Sequence, residues 1–362
     1  VIRHLGRISI LASLVASGCG KLGPPVPPTR FAERAAELAA VQRGANIVLS
    51  WPAPQLDDQS SNKRYIDRVE IYRLVERKDG AATLDPEVFE ELAEMVGVLD
   101  RTALQAQTAN SPTIEFTDPI DLSDPELDQM RLRYAVRYVN KRDQAGPFSI
   151  MATVEPKRIV AAAPTNLRVA SEAQDEIVLL WDPPGSNADG SQPASFVGYN
   201  IYRRAAGRPA PHEPLNPEPL AEPKFTDRKF RYRAEYIYTV RAVTQSGSGF
   251  VESADSAQLR FRPIDRFPPS QPGPVSIAST GGVISLFWPS NPEQDVIGYN
   301  VYRAESPDQK NWIKLNSQPL STVTFRDERV VVGTRYYYRV TAVDRFDNES
   351  EPSPVVSQTA NP

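Results

Sequence analysis

The chain has 362 residues and a net charge of −4, with 24% charged and 40% hydrophobic residues, values that fit two or three globular domains with their own cores. So small a charge, with no concentrated basic face, argues against nucleic acid as a partner. Thirty-four prolines against 19 glycines favour strand edges, turns and stiff linkers over helices, and one cysteine rules out an internal disulfide framework.

In chain order, residues 1–18 read first as a secretory signal. Arg3, His4 and Arg7 form a positive start, Ile8 to Val15 an apolar run, and Ala16-Ser17-Gly18 the small residues a signal peptidase requires. The apolar run is about ten residues, short of the ~20 that span a bilayer as a helix. The string "ASGC" resembles the lipobox of bacterial lipoproteins, with Ala16 where Leu is usual. That resemblance implies Cys19 as the lipid-attachment residue and a membrane partner held through its acyl chains. Each buried CH₂ of such an anchor contributes about 0.8 kcal/mol. Gly20, rather than Asp, then points by the same resemblance to the outer membrane of the cell envelope. The alternative is an ordinary secretory signal that leaves a free thiol. Residues 19–35 form a proline-rich spacer, in which Pro24, Pro25, Pro27 and Pro28 favour polyproline II. At about 3.1 Å per residue the stretch from Cys19 to about Phe31 would reach roughly 35 Å.

The rest is repetitive. "NIVLSWPAP" (46–54), "EIVLLWDPP" (176–184) and "VISLFWPSN" (283–291) end their alternation on Trp51, Trp181 and Trp288. Next come "VEIYR" (69–73), "YNIYR" (199–203) and "YNVYR" (299–303), then "FTD" (116–118), "FTD" (225–227) and "FRD" (325–327). Each copy closes on "LRYAVRYVN" (132–140), "EYIYTVRAV" (235–243) or "RYYYRVTAV" (335–343). The period of two, the β-branched and aromatic content, and the turn signals between runs predict sandwiches of two antiparallel sheets. The pattern resembles the fibronectin type III domain, so the expected fold class is all-β, with three tandem immunoglobulin-like sandwiches at 36–158, 162–263 and 270–361. The resemblance implies that the three tryptophans are buried and that Tyr236 and Tyr336 are corner tyrosines bonding back to the upstream backbone. Leu132 stands at that place in the first copy. The linkers 155–164 and 262–274 fall between copies, and five prolines in the second predict a stiff joint and a rod.

The Trp-to-Trp spacings are 130 and 107 residues, so the first copy carries an insertion before its "FTD". There Asp85 is a candidate helix cap and Pro86 the first helical residue. Val88, Leu92 and Met95 or Val96 fall at helical spacing, and Gly97 is the stop. This helix either caps the sandwich or marks a partner surface. Taken as a surface, the segment Leu84–Ala109 offers Phe89 and Leu92 to a protein partner in the envelope.

No catalytic constellation is visible. His212, in a proline-rich loop, is the one histidine left after the signal, which argues against a triad or a two-histidine zinc site. The acidic stretches 186–193 and 344–350 lack the ligand spacing of an EF-hand and read as turns rather than calcium sites. The strip "DRKFRYRAEY" (227–236) either binds an anionic glycan through charge and ring stacking, or is a strand with one wet and one buried face. The expectation is a non-enzymatic, lipid-anchored envelope protein acting as a modular interaction or spacer rod, with no catalytic, metal or cofactor site. The alternative is a carbohydrate-binding or adhesive surface protein.

Overall fold

The computed structural model describes residues 37–54, 56, 66–109, 111–209, 211, 213–247 and 249–362. The signal segment, Cys19, the proline spacer and His212 lie outside the described residues. The first sandwich contains β1 (Ala39–Arg43), β2 (Asn46–Pro52), β3 (Arg68–Arg77), α1 (Pro86–Leu92), β4 (Glu94–Asp100), α2 (Arg101–Thr108), β5 (Thr113–Pro119), β6 (Met130–Val139) and β7 (Ala152–Val154). The second contains β8 (Thr165–Ala173), β9 (Glu176–Asp182), β10 (Gly198–Ala205), β11 (Lys224–Asp227), β12 (Tyr236–Ser246), β13 (Gly249–Glu252) and β14 (Leu259–Phe261). The third contains β15 (Ser276–Thr280), β16 (Val283–Phe287), β17 (Val296–Ala304), β18 (Ile313–Lys314), β19 (Thr324–Asp327), β20 (Arg335–Asp344) and β21 (Val356–Thr359).

One sheet of each sandwich orders its strands β1-β2-β5, β8-β9-β11 or β15-β16-β19. The facing sheets are β4-β3-β6-β7, β10-β12 with β13 and β14, and β18-β17-β20-β21. Alternation drives this arrangement. In β9, Ile177, Leu179 and Trp181 are buried while the residues between them are only half-covered, as a sheet with one face on the core requires. Each sandwich thereby gains a cluster of buried side chains around its tryptophan. Trp181 and Trp288 also meet Tyr199 and Tyr299 edge-on, at 5.3 and 5.5 Å between ring centroids.

The repeated words of the sequence converge inside each sandwich. The arginine of "YR", the aspartate of "FTD" or "FRD" and the tyrosine two places past the corner position of the closing strand form one buried network. Asp118 accepts from Arg73 at 2.8 Å and from Tyr134 at 2.7 Å. Asp227 accepts from Arg203 at 2.6 Å and from Tyr238 at 2.8 Å. Asp327 accepts from Arg303 at 2.8 Å and from Tyr338 at 2.9 Å. The aspartates are nearly inaccessible, so each needs its cation and its phenol to compensate lost hydration. Burial, then the carboxylate beside it, pushes each tyrosine's pKa up.

The corner tyrosines behave as expected. Arg231 N donates to the Tyr236 hydroxyl at 2.9 Å and Val331 N to that of Tyr336 at 3.1 Å. Arg203 and Arg303 lie over these two rings at 4.8 and 4.9 Å. In the first sandwich Leu132 is a buried core residue and the corner closes without that bond.

The first sandwich also differs at its edge. In the other two, a loop pairs its Leu220 or Leu320 with Tyr199 or Tyr299, so close that a Cβ on Gly198 or Gly298 would stand 2.8 or 2.6 Å from the loop's carbonyl oxygen. Arg68 begins β3 at the corresponding place, and there the edge is occupied by a full strand, β4, paired from Arg68↔Asp100 to Arg73↔Glu94. The insertion is therefore helix, strand, helix. The predicted helix does start at Asp85, whose Oδ1 accepts from Glu87 N at 2.9 Å, but it stops at Leu92 rather than at Gly97. Met95 to Gly97 belong to β4, where a Cβ on Gly97 would stand 2.2 Å from the Phe116 ring. Gly97 is thus a close approach between two layers, not a helix stop. The second helix, capped by Asp100 accepting from Ala103 N at 2.8 Å, went unpredicted because Leu104 is its one buried side chain.

Candidate interaction surfaces

The insertion divides its apolar residues between two faces. Phe89 is 1% exposed and packs with Leu74 and Ala135, its ring edge-on to Phe148 at 5.5 Å. Phe89 therefore packs as a cap on its own sandwich, because the side chain three residues into the helix points at the β3–β6 face. Leu92 is 57% exposed and faces outward with Val88, Met95 and Val98. Of the two residues singled out in the sequence, one closes the module and one lies on its surface.

The joint between the first and second sandwiches is a shared sheet. Arg43 of β1 pairs in parallel with Glu252 of β13, and Gly44 N donates to Glu252 O at 2.8 Å, so that one seven-stranded sheet crosses the boundary. Gln42 clamps the linker, its amide giving and receiving bonds of 2.7 Å with the Lys157 backbone. Beside it, the Glu252 carboxylate accepts from Asn200 Nδ2 at 2.6 Å, Tyr202 at 2.5 Å and Arg241 at 2.7 Å. Burial raises the Glu252 pKa, but the bonds from Asn200 and Tyr202 and the charge of Arg241 outweigh it and hold the carboxyl below its usual range. Burial, followed by repulsion from Arg241, lowers the Arg43 pKa, and its Nε is buried without a partner.

The joint between the second and third sandwiches holds a groove of about 540 Å³, with Phe230, Tyr232, Arg231, Asp265, Asp295 and Phe346 on its walls. The strip 227–236 thus lies beside a cavity, but it is not the alternating strand proposed from sequence. Residues 228–235 form a loop and turn, with Arg233 at φ 64°, and the strand begins at Tyr236. Phe230 packs on its own module's core, while Tyr232 stands edge-on to both Phe230 and Phe346, at 5.3 Å each. Arg233 lies over Phe346 at 4.9 Å. Burial, then the charge of Asp265, pushes the Tyr232 pKa up to about 12, and its hydroxyl donates to Gln174 O at 2.6 Å. The linker is stitched down as well, with Arg233 N bonded to Pro263 O at 2.8 Å and Gln271 Nε2 to Pro352 O at 2.7 Å.

The acidic stretches behave differently from each other. In 186–193 the side-chain oxygens serve the turn: Asp189 accepts from Ser191 N at 3.0 Å and Asn187 from Ser195 N at 2.8 Å. In 344–350, Asp344 likewise accepts from Phe346 N at 2.7 Å and Asn348 N at 2.9 Å. Asp344 also meets Asp265 and Asp295, two residues remote in sequence that no local pattern connects to it.

Several known proteins match parts of this chain. Over 215 residues the chain is 27% identical to Exoglucanase B of Cellulomonas fimi, covering 57% of this chain and 17% of that protein. It is 22% identical over 228 residues to the striated-muscle M-protein of Gallus gallus, covering 61% of this chain and 15% of that one. A shorter match of 85 residues, 36% identical, is to an amylopullulanase of Thermoanaerobacterium saccharolyticum, covering 24% of this chain and 6% of that enzyme. The chain spans less than a fifth of the length of these relatives. Among solved structures, a two-domain fibronectin type III segment from chicken tenascin covers 55% of this chain and 99% of its own, at 17% identity and a TM-score of 0.34. The model of the fibronectin type III domain matches residues 162–258. With Trp181 between its sheets and Tyr236 at its corner, the second sandwich is a fibronectin type III domain, set in an all-β chain whose other two sandwiches share the order of its three-stranded sheet.

Proposed function

We propose that this chain is a non-enzymatic protein of the cell envelope, anchored through lipid on Cys19 and using its three sandwiches as a modular interaction and spacer rod. The observation that carries the spacer reading is the continuous sheet across the first joint, where Arg43 pairs with Glu252 and Gln42 grips Lys157. Such a junction resists bending, because bending would leave buried backbone groups unpaired. The anchor rests on "ASGC". Replacing Cys19 by Ser is expected to move the protein from the detergent-soluble membrane fraction to the aqueous one. An equally membrane-bound variant, or an intact mass showing an unmodified N-terminus other than Cys19, refutes the anchor.

A protein partner would reach the outward face of Leu92, Met95 and Val98 on the insertion. Stronger in vivo crosslinking from this segment than from matched positions at 305–320 supports that assignment; equal or weaker crosslinking refutes it. A second reading, glycan binding or adhesion, draws on the groove beside Tyr232 and on the carbohydrate enzymes among the relatives. Retention on a glycan array that is abolished by Tyr232→Ala is its signature.

A further inference from the structure

The linker between the second and third sandwiches brings Asp265 against two aspartates of the third. Asp295 immediately precedes β17, and Asp344 is the last residue of β20. One carboxylate oxygen from each of the three lies within 4.8 Å of the other two. Three negative charges at this separation repel strongly wherever water is excluded. Among the described residues, no lysine or arginine forms an ion pair with any of them, although Arg345 lines the same groove.

Asp265 supplies an independent observation. It is 5% exposed, and its Oδ1 accepts from Phe267 N at 3.1 Å, while its Oδ2 is fully shielded and has no hydrogen-bond partner. A buried carboxylate oxygen without a donor is a loss that folded proteins rarely accept without a ligand or a proton.

We propose that Asp265, Asp295 and Asp344 bind a calcium ion that clips the linker onto the third sandwich. The donors are all oxygens, which selects a hard cation over zinc or copper. Calcium takes six to eight oxygens at about 2.3–2.6 Å in flexible geometry, whereas magnesium demands a near-ideal octahedron at about 2.0–2.1 Å, so carboxylates fixed by three separate segments suit calcium better. Three carboxylate oxygens within 4.8 Å of one another are close enough to share one such ion. Asp265 and Asp295 line the groove, whose volume leaves room for the waters that complete the shell. The ion would sit next to the Tyr232–Phe346 contact, and so hold the second and third sandwiches in one relative orientation. The site stands on this geometry alone and does not depend on the envelope function proposed above.

The test uses the full chain stripped with EDTA, titrated with calcium chloride by calorimetry and followed through thermal unfolding. Binding is expected in the range of about 10⁻⁴–10⁻³ M typical of extracellular modules, and 10 mM calcium should raise the third module's melting temperature by about 6–20 °C. Asp295→Asn removes one ligand without touching the turn bonds of Asp344. It should weaken binding at least tenfold while melting in EDTA no lower than the parent, since a repulsion is gone. The absence of binding heat and of any shift at 10 mM calcium overturns the proposal and leaves a proton as the neutralising species. Unchanged calcium binding by Asp295→Asn also overturns it, and an equal response to magnesium overturns the choice of ion.

Discussion

Replacing Glu252 by Gln tests whether the first two sandwiches form one mechanical unit. The substitution keeps size and an acceptor oxygen for Asn200 and Tyr202, but removes the charge facing Arg241. Arg241 is 2% exposed, and its other carboxylate partner, Asp255 at 2.6 Å, is 46% exposed and screened by water. Breaking a buried pair costs about 3–5 kcal/mol, and the surviving Asp255 contact places the expected loss near the lower figure, about 3 kcal/mol. Spread over two modules, this lowers the melting temperature by roughly 10 °C. Because the Glu252 backbone also holds Gly44, the transitions of the first and second modules should fall together. The pH dependence has a definite sign. The folded carboxyl's pKa is lowered, so its contribution is present above the unfolded value of about 4.3 and is lost as pH falls through the lower folded value. The gap between parent and variant should therefore hold at pH 7 and close in acid. The double variant Glu252→Gln, Arg241→Met should recover part of the loss, since no uncompensated buried charge remains. A loss under 0.5 kcal/mol at pH 7, or a drop confined to the second module, would refute the coupled joint.

Removing the indole of Trp288, which is buried and packed edge-on to Tyr299, should cost about 3–5 kcal/mol and unfold the third module; calorimetry should show the remaining transitions intact. Phe89→Ala should destabilise the first module by about 3 kcal/mol or more in denaturant unfolding, while Leu92→Ala should change it by less than about 0.5 kcal/mol. Gly97→Ala should cost about 1–3 kcal/mol, since the new methyl meets the Phe116 ring; a thermal shift near zero would mean that the ring moves aside freely.

The sandwiches were legible because they rest on local regularities. A period of two places Ile177, Leu179 and Trp181 on one face whatever else the chain does, and three repetitions of Trp, "YR", "FTD" and the closing strand leave little choice of fold. Even the buried arginine–aspartate–tyrosine networks were present as recurring words, although only the folded sheets show that the words touch. Other features depended on partners far away in the sequence. Gly97 read as a helix stop because the Phe116 ring, 19 residues on, was invisible to local spacing. Phe89 and Leu92 share one amphipathic pattern, and only the position of Phe148 decides which of them is covered. The pairing of Arg43 with Glu252, and the meeting of Asp265 with Asp295 and Asp344, are contacts between segments 30 to 209 residues apart. Periodicity sets which face of a strand is buried, but not which module or linker comes to lie against it; that is settled by the packing at the joints.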